Sequence, residues 1–126
     1  MDRGDVLTSA AATGNYENVQ ALLQAGVDPN AVNRFGRTAL QVMMMGNTAV
    51  ARLLLQHGAN PGVRDRDTGG TPLHDAAREG FLDTVKVLVA HGAEVHARDN
   101  RDQRPIDLAM ENGYRDVVDF LELHLH

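Results

Sequence analysis

The feature that most constrains this chain is an internal period. Gly26-Val27-Asp28-Pro29-Asn30-Ala31 recurs as Gly58-Ala59-Asn60-Pro61-Gly62-Val63 and as Gly92-Ala93-Glu94-Val95-His96-Ala97, at steps of 32 and 34 residues. A second glycine series, Gly14, Gly46, Gly80 and Gly113, steps by 32, 34 and 33. A chain that repeats at this spacing is built from small units, none of which can bury its apolar face alone. The units must stack, each against its neighbour in sequence.

Thr71-Pro72-Leu73-His74-Asp75-Ala76 sets out the unit. Thr71 can cap a helix whose first turn begins at Pro72, where the missing N–H costs nothing. Leu73, Ala76 and Ala77 share one face at helical spacing and are small enough for helices to approach closely. Gly80 ends this helix, since glycine takes a positive φ most cheaply after a last turn. A second helix is predicted from about Phe81 to His91, with Leu82, Val85, Leu88 and Val89 as its apolar stripe. The corresponding residues are Val19, Leu22 and Leu23 in repeat one and Ala51, Leu54 and Leu55 in repeat two. Each fully buried large aliphatic side chain contributes about 1.5–3 kcal/mol, so this shared stripe is the main source of stability. Period and Thr-Pro-Leu-His turn together resemble ankyrin repeats. The expected fold is all-α, a solenoid of four helix-turn-helix repeats at about 5–32, 33–64, 65–98 and 99–123, forming a single domain over 1–126.

The ends fit that count. Repeat one carries helices from about Val6 to Thr13 and Glu17 to Ala25, without the Thr-Pro-Leu-His turn. In repeat four, Val118 and Leu121 keep the stripe, but Glu122 stands where Leu23, Leu55 and Val89 stand, as a terminal cap requires. Residues 1–5 are read as a frayed arm and Leu123 to His126 as a short tail.

Repeat two is irregular. Ala39 to Gly46 is 7 positions, against 8 for Pro72 to Gly80 and Pro105 to Gly113, and Met43-Met44-Met45 replaces the small pair. Its first helix should be shortened or nearly absent, with at least one Met at a surface.

Composition narrows the chemistry. There is no Cys, which removes disulfides, thiolate metal sites and cysteine nucleophiles. No apolar run approaches the roughly 20 residues of a membrane span and no signal peptide precedes the repeats, so a cytoplasmic and nuclear protein is expected. The net charge of −5 disfavours nucleic acid and favours a basic protein partner. Histidine is the remaining catalytic or metal-binding type. His57 and His91 precede the glycines that stop helices and are expected to bond the last carbonyls. His74 is expected to hydrogen-bond within its turn, and the His124/His126 pair makes a poor chelate. No enzyme, cofactor or metal is predicted. Asp75, Arg78 and Glu79 lie opposite the apolar face of their helix, where a solvated face with a local ion pair competes with a binding surface. Asp83, near the start of the next helix, is well explained as a helix-dipole partner. Phe81 lies outside the stripe, as lid packing or as an interface anchor.

Phe35-Gly36-Arg37-Thr38-Ala39-Leu40-Gln41-Val42-Met43-Met44-Met45-Gly46 and His74-Asp75-Ala76-Ala77-Arg78-Glu79-Gly80-Phe81-Leu82-Asp83-Thr84 closely resemble the INK family, ankyrin-repeat inhibitors of cyclin-dependent kinases four and six. The resemblance runs over nearly the whole chain. It implies a non-catalytic inhibitor that grips both lobes of a monomeric kinase, distorts its ATP site, opposes binding of cyclin D and so restrains passage from G1 to S. By position it implies that Asp75 pairs with a kinase arginine. Glu17, Asp65, Arg78, Phe81 and Asp83 are then further contacts, and Val42, Met43 and Met44 pack near the kinase amino-terminal lobe. Asp107 stands where repeat three has His74, a departure the family tolerates. The competing reading is a general ankyrin adaptor for a non-kinase protein.

Overall fold

The computed structural model describes residues 2–125. Its helices, among the described residues, are α1 (Arg3–Ala12), α2 (Tyr16–Gln24), α3 (Ala39–Val42), α4 (Thr48–Gln56), α5 (Pro72–Glu79), α6 (Leu82–Ala90), α7 (Pro105–Glu111) and α8 (Arg115–Glu122). They form four consecutive pairs, the all-α ankyrin arrangement expected from the period. The chain divides into two compact units, Met1–Asn60 and Pro61–His126. In the first, α1 packs on α3 and α2 on α4; in the second, α5 packs on α7 and α6 on α8. First helices thus meet first helices and second meet second, which buries a face that no single pair could cover.

The cores follow the predicted stripe with some exchange of members. Val19, Leu23, Ala51, Leu54, Leu55, Val85, Leu88, Val118 and Leu121 are buried. Leu22, Leu82 and Val89 are only half-buried, while Thr84 and Val87 are inside. Glu122 is exposed, as expected of a cap.

The amino-terminal arm is not frayed over its described residues. Asp2 accepts a hydrogen bond from Gly4 N at 3.1 Å and α1 starts at Arg3; Met1 lies outside the described residues. Gly4 is needed here, because a Cβ on it would collide with the Val32 carbonyl. At the other end His124 is tied down. Its Nδ1–H donates to Phe120 O at 3.0 Å and its ring lies 4.5 Å from that of Phe120. His126, the other half of the expected pair, lies outside the described residues.

His74 is the densest node of residues 61–126. It is fully buried, and the Thr71 N–H donates to its Nδ1 at 3.1 Å. An acceptor at Nδ1 makes Nε2 the protonated nitrogen, and Nε2–H donates to Gln103 O at 2.8 Å, in the turn before α7. The imidazole therefore caps its own helix and ties it to the next repeat, leaving no nitrogen for chemistry. Gln41 takes the capping half of this role in repeat two, accepting from Thr38 N at 2.8 Å. Asp107 does so in repeat four, accepting from Arg104 N at 2.9 Å. Burial pushes the Asp107 carboxyl up, but hydrogen bonds from the Arg104 side chain and backbone outweigh it and hold the group below its ordinary value. His57 and His91 donate Nδ1–H to Leu53 O at 3.0 Å and Val87 O at 2.9 Å, as the sequence suggested.

Helix α3 has four residues. In register with repeat three, Met43 and Met44 occupy the places of Ala76 and Ala77, both wholly buried against neighbours. Two Met side chains cannot enter that space from a helix. The backbone instead turns extended at Met43, φ −66° and ψ 158°, and side chains then alternate. Met43 and Met45 point into the core, each 4% exposed, and Met44 is 73% exposed. Gly46, unlike Gly14, Gly80 and Gly113, is absent from the positive-φ residues, since no helix reaches it to be stopped.

The turns before α3 and α7 share one scaffold. Before α3, Asn33 Oδ1 accepts from Phe35 N at 2.9 Å and Arg37 N at 3.1 Å, Gly36 N donates to Asn33 O, and Gly36 has φ 77°. Before α7, Asp99 Oδ1 accepts from Arg101 N and Gln103 N, both at 2.9 Å, Asp102 N donates to Asp99 O, and Asp102 has φ 62°. The same side-chain-to-backbone closure recurs, with Arg101 where Phe35 stands.

Replacing His74 by Ala leaves a buried N–H and a buried carbonyl unpaired and opens a void. We expect a loss of about 2–4 kcal/mol in urea unfolding, and a cost below about 0.5 kcal/mol would contradict the node. Hydrogen exchange should be at least about tenfold faster at residues 40–46 than in α5, because a one-turn helix offers few regular backbone bonds. Slower exchange there would show the reverse order of opening.

Candidate functional site

On α5, Leu73, Ala76 and Ala77 are buried, which leaves Asp75 and Arg78 on the opposite face by the helical period. Arg78 donates to Asp75 Oδ1 at 3.1 Å. The two carboxylate and guanidinium groups border a groove of about 510 Å³ whose lining includes Asp65, Asp67, Thr68, Asp99 and Arg101. Four carboxylates against two guanidiniums make this groove negative, suited to a cationic side chain.

Asp75 is the unusual member. It is half-buried, and burial raises its pKa above the ordinary value, although the charge and hydrogen bond of Arg78 draw it down; Asp65 adds to the rise. A carboxyl raised by folding opposes the folded state whenever it is ionised. Asp75 thus burdens the fold at neutral pH without capping or bridging any other element. Asp65 differs, since its Oδ1 accepts from Asp67 N at 2.8 Å and Thr68 N at 3.2 Å and so closes the turn before α5.

Phe81 and Asp83 lie outside the groove. Asp83 is exposed in the first turn of α6, where a negative charge complements the helix dipole. Phe81 occupies the N-cap of α6, a position held by Asn15 before α2 and Asn47 before α4. Both asparagines accept a capping bond, from Asn18 N and Val50 N at 3.2 Å. Phe81 makes none and remains 41% exposed. The fold forgoes a cap worth about 0.5–2 kcal/mol to place an aromatic ring there. Tyr114 makes the same exchange before α8, but its ring covers Gly80, whose added Cβ would lie 2.5 Å from it.

In the first unit, Glu17 is exposed on the opening turn of α2 and Val42 ends α3, half-buried, at the position that Asp75 holds in repeat three. Of the two methionines implied as contacts, Met44 exposes its side chain, whereas that of Met43 is buried. Sequence reasoning missed Asp67, Asp99 and Arg101 as groove residues. A signal was present, because Asn33, Asp65 and Asp99 keep the repeat spacing at the turns. Among the described residues no group of three or more His, Asp or Glu is placed to hold a metal, and no helix is long and apolar enough to cross a membrane.

We expect Asp75→Asn to unfold at the same urea concentration as the parent or a higher one at pH 7. The difference should shrink as pH falls through the raised pKa of Asp75, where the parent carboxyl becomes neutral too. A marked destabilisation at pH 7 would give Asp75 a structural role.

A family model for ankyrin repeats matches three copies over residues 7–99. Human "Cyclin-dependent kinase 4 inhibitor B" is 58% identical over 91% of this chain and 83% of its own length. The rat protein of that name is 56% identical over 91% of this chain and 88% of its own length. Human "Cyclin-dependent kinase inhibitor 2A" is 55% identical over 93% of this chain and 75% of its own length. With repeats of this form, the shortened α3 and this degree of identity over most of its length, the chain belongs to the INK family of ankyrin-repeat cyclin-dependent kinase inhibitors.

Proposed function

We propose that this protein inhibits cyclin D-dependent kinases, cyclin-dependent kinases four and six, by binding the kinase, distorting its ATP site and opposing cyclin D, and so restrains passage from G1 to S. It acts as a monomer in cytoplasm and nucleus and carries out no catalysis of its own. The observation that carries the reading is Asp75: a carboxylate held half-buried at the rim of an acidic groove, at a cost to the fold, where a cation from a partner would repay its lost hydration. A kinase arginine meets that need with two parallel donors. Asp65 and Arg78 border this contact, Phe81 and Asp83 are further contacts of the same unit outside the groove, and Glu17, Val42, Met43 and Met44 are the contacts this reading assigns in the first unit. Inhibition then follows from occupancy and from the lobe arrangement that the bound surface selects.

Calorimetric titration of purified cyclin-dependent kinase four or six with the parent and with Asp75→Ala tests this. We expect the variant to bind at least about tenfold more weakly, since truncating one partner of a desolvated charge pair costs about 2–5 kcal/mol, and its inhibition of the kinase to fall in parallel. Unchanged binding by a folded variant would refute the assignment of Asp75. Failure of the parent itself to bind would refute the kinase as partner.

A further inference from the structure

The groove beside Asp75 lies wholly within residues 61–126, and two successive turns that are bonded to each other carry much of its charge. Asn100 N donates to Thr68 O at 2.8 Å and Asn100 Nδ2 to Asp67 O at 3.2 Å. One Arg64 nitrogen donates to both Gly69 O and Arg98 O, at 2.9 and 2.8 Å. Asp67, Asp99 and Arg101 therefore stand on backbone that is ordered before any partner arrives.

Arg101 is the groove residue that folding does not explain. Its N–H closes the turn onto Asp99 Oδ1, but Phe35 holds the same place in a turn that closes in the same way, so the closure does not use the Arg101 side chain. Arg78 is engaged by Asp75, Arg98 by Asp102 and Arg104 by Asp107. The exposed Arg101 guanidinium pairs with no carboxylate among the described residues.

An anion from a partner is a poor occupant for this place, because Asp65, Asp67, Asp75 and Asp99 border the same groove. A cation suits the groove, and Arg101 opposes it. A groove of about 510 Å³ is on the order of 10 Å across, about one Debye length at 0.1 M salt, so a cation inside it feels every charged group on the wall. Four carboxylates against two guanidiniums give a formal balance of −2, which becomes −3 when Arg101 is neutralised.

We propose that Arg101 is a specificity-determining residue that restrains the groove: it lowers the negative potential around Asp75, so that tight binding requires an arginine seated against Asp75 and not merely a basic segment within reach. The inference rests on the kinase reading above and adds to it a residue that acts against association. A like charge beside a binding site weakens the hold on every cation. The partner that also forms paired hydrogen bonds to the carboxylate keeps the larger share of its affinity, and diffuse polycations keep the smaller.

The test uses the full chain, with Arg101→Gln and Arg101→Glu compared with the parent by surface plasmon resonance at low and high salt. Purified cyclin-dependent kinase six is one analyte and an oligoarginine peptide the other. Arg101 is exposed, so both variants should melt with the parent. We expect association with the kinase at low salt to quicken by about twofold for Arg101→Gln and about fivefold for Arg101→Glu, and the differences to vanish at high salt. Affinity for oligoarginine should rise by a larger factor than affinity for the kinase. Weaker kinase binding by both variants, through faster dissociation, would make Arg101 a direct contact for an acidic group and overturn the restraint. Equal association by all three proteins would overturn it as well, and an oligoarginine gain no larger than the kinase gain would overturn the role in specificity. In each of these cases a parent that binds the kinase, and loses binding through Asp75→Ala, leaves the kinase reading intact. A parent that does not bind the kinase would remove both readings together.

Discussion

A helix pair of this length has two apolar faces and only one partner helix of its own, so burial of the second face depends on the next pair along the chain. In residues 61–126 that dependence is fixed by His74. Its Nδ1 accepts within its own turn and its Nε2–H donates into the following one, so capping of α5 and docking of α7 are a single hydrogen-bonded event. An imidazole suits this position because it is a flat group with an acceptor and a donor on opposite edges. Gln41 and Asp107 keep the capping half of the role, each accepting from the backbone N–H at the start of its helix.

Such economy leaves some residues unexplained by folding. Burial raises the pKa of Asp75 above the ordinary carboxylate value, and Phe81 sits where an asparagine would cap. Phe35 crowns a turn that closes equally well around Arg101, and Met44 is turned outward by the alternation that hides Met43 and Met45. Each departs from what its local structure would favour, and departures of this kind concentrate at surfaces used for recognition. The family relatives, named as kinase inhibitors, are consistent with a surface that holds a protein rather than transforms a substrate.

Repeat two shows how one deletion changes a surface. Shortening the stretch from Thr38 to Gly46 and enlarging two alanine positions to methionine exchanges helix for extended chain, and with it a 3.6-residue period for a two-residue one. The consequences are an exposed Met44 and a Gly46 relieved of stopping a helix. Both arise from volume, since a methionine cannot occupy the space in which a repeat holds Ala76 or Ala77.

The sequence by itself determined the period, the helix pairs, the glycine stops, the capping threonines, the short first helix of repeat two and the family, because each depends on residues close together or on spacing that recurs. It also singled out Asp75 and Phe81, by default, as residues the repeat could spare. Only the tertiary structure decided that α1 begins at Arg3 against the Val32 carbonyl, that Met43 is buried beside an exposed Met44, and that Asp67, Asp99 and Arg101 join Asp75 around one groove. Those outcomes turn on how far a side chain reaches and what volume a neighbouring repeat leaves for it, quantities that arise between residues some thirty positions apart and that no local pattern records.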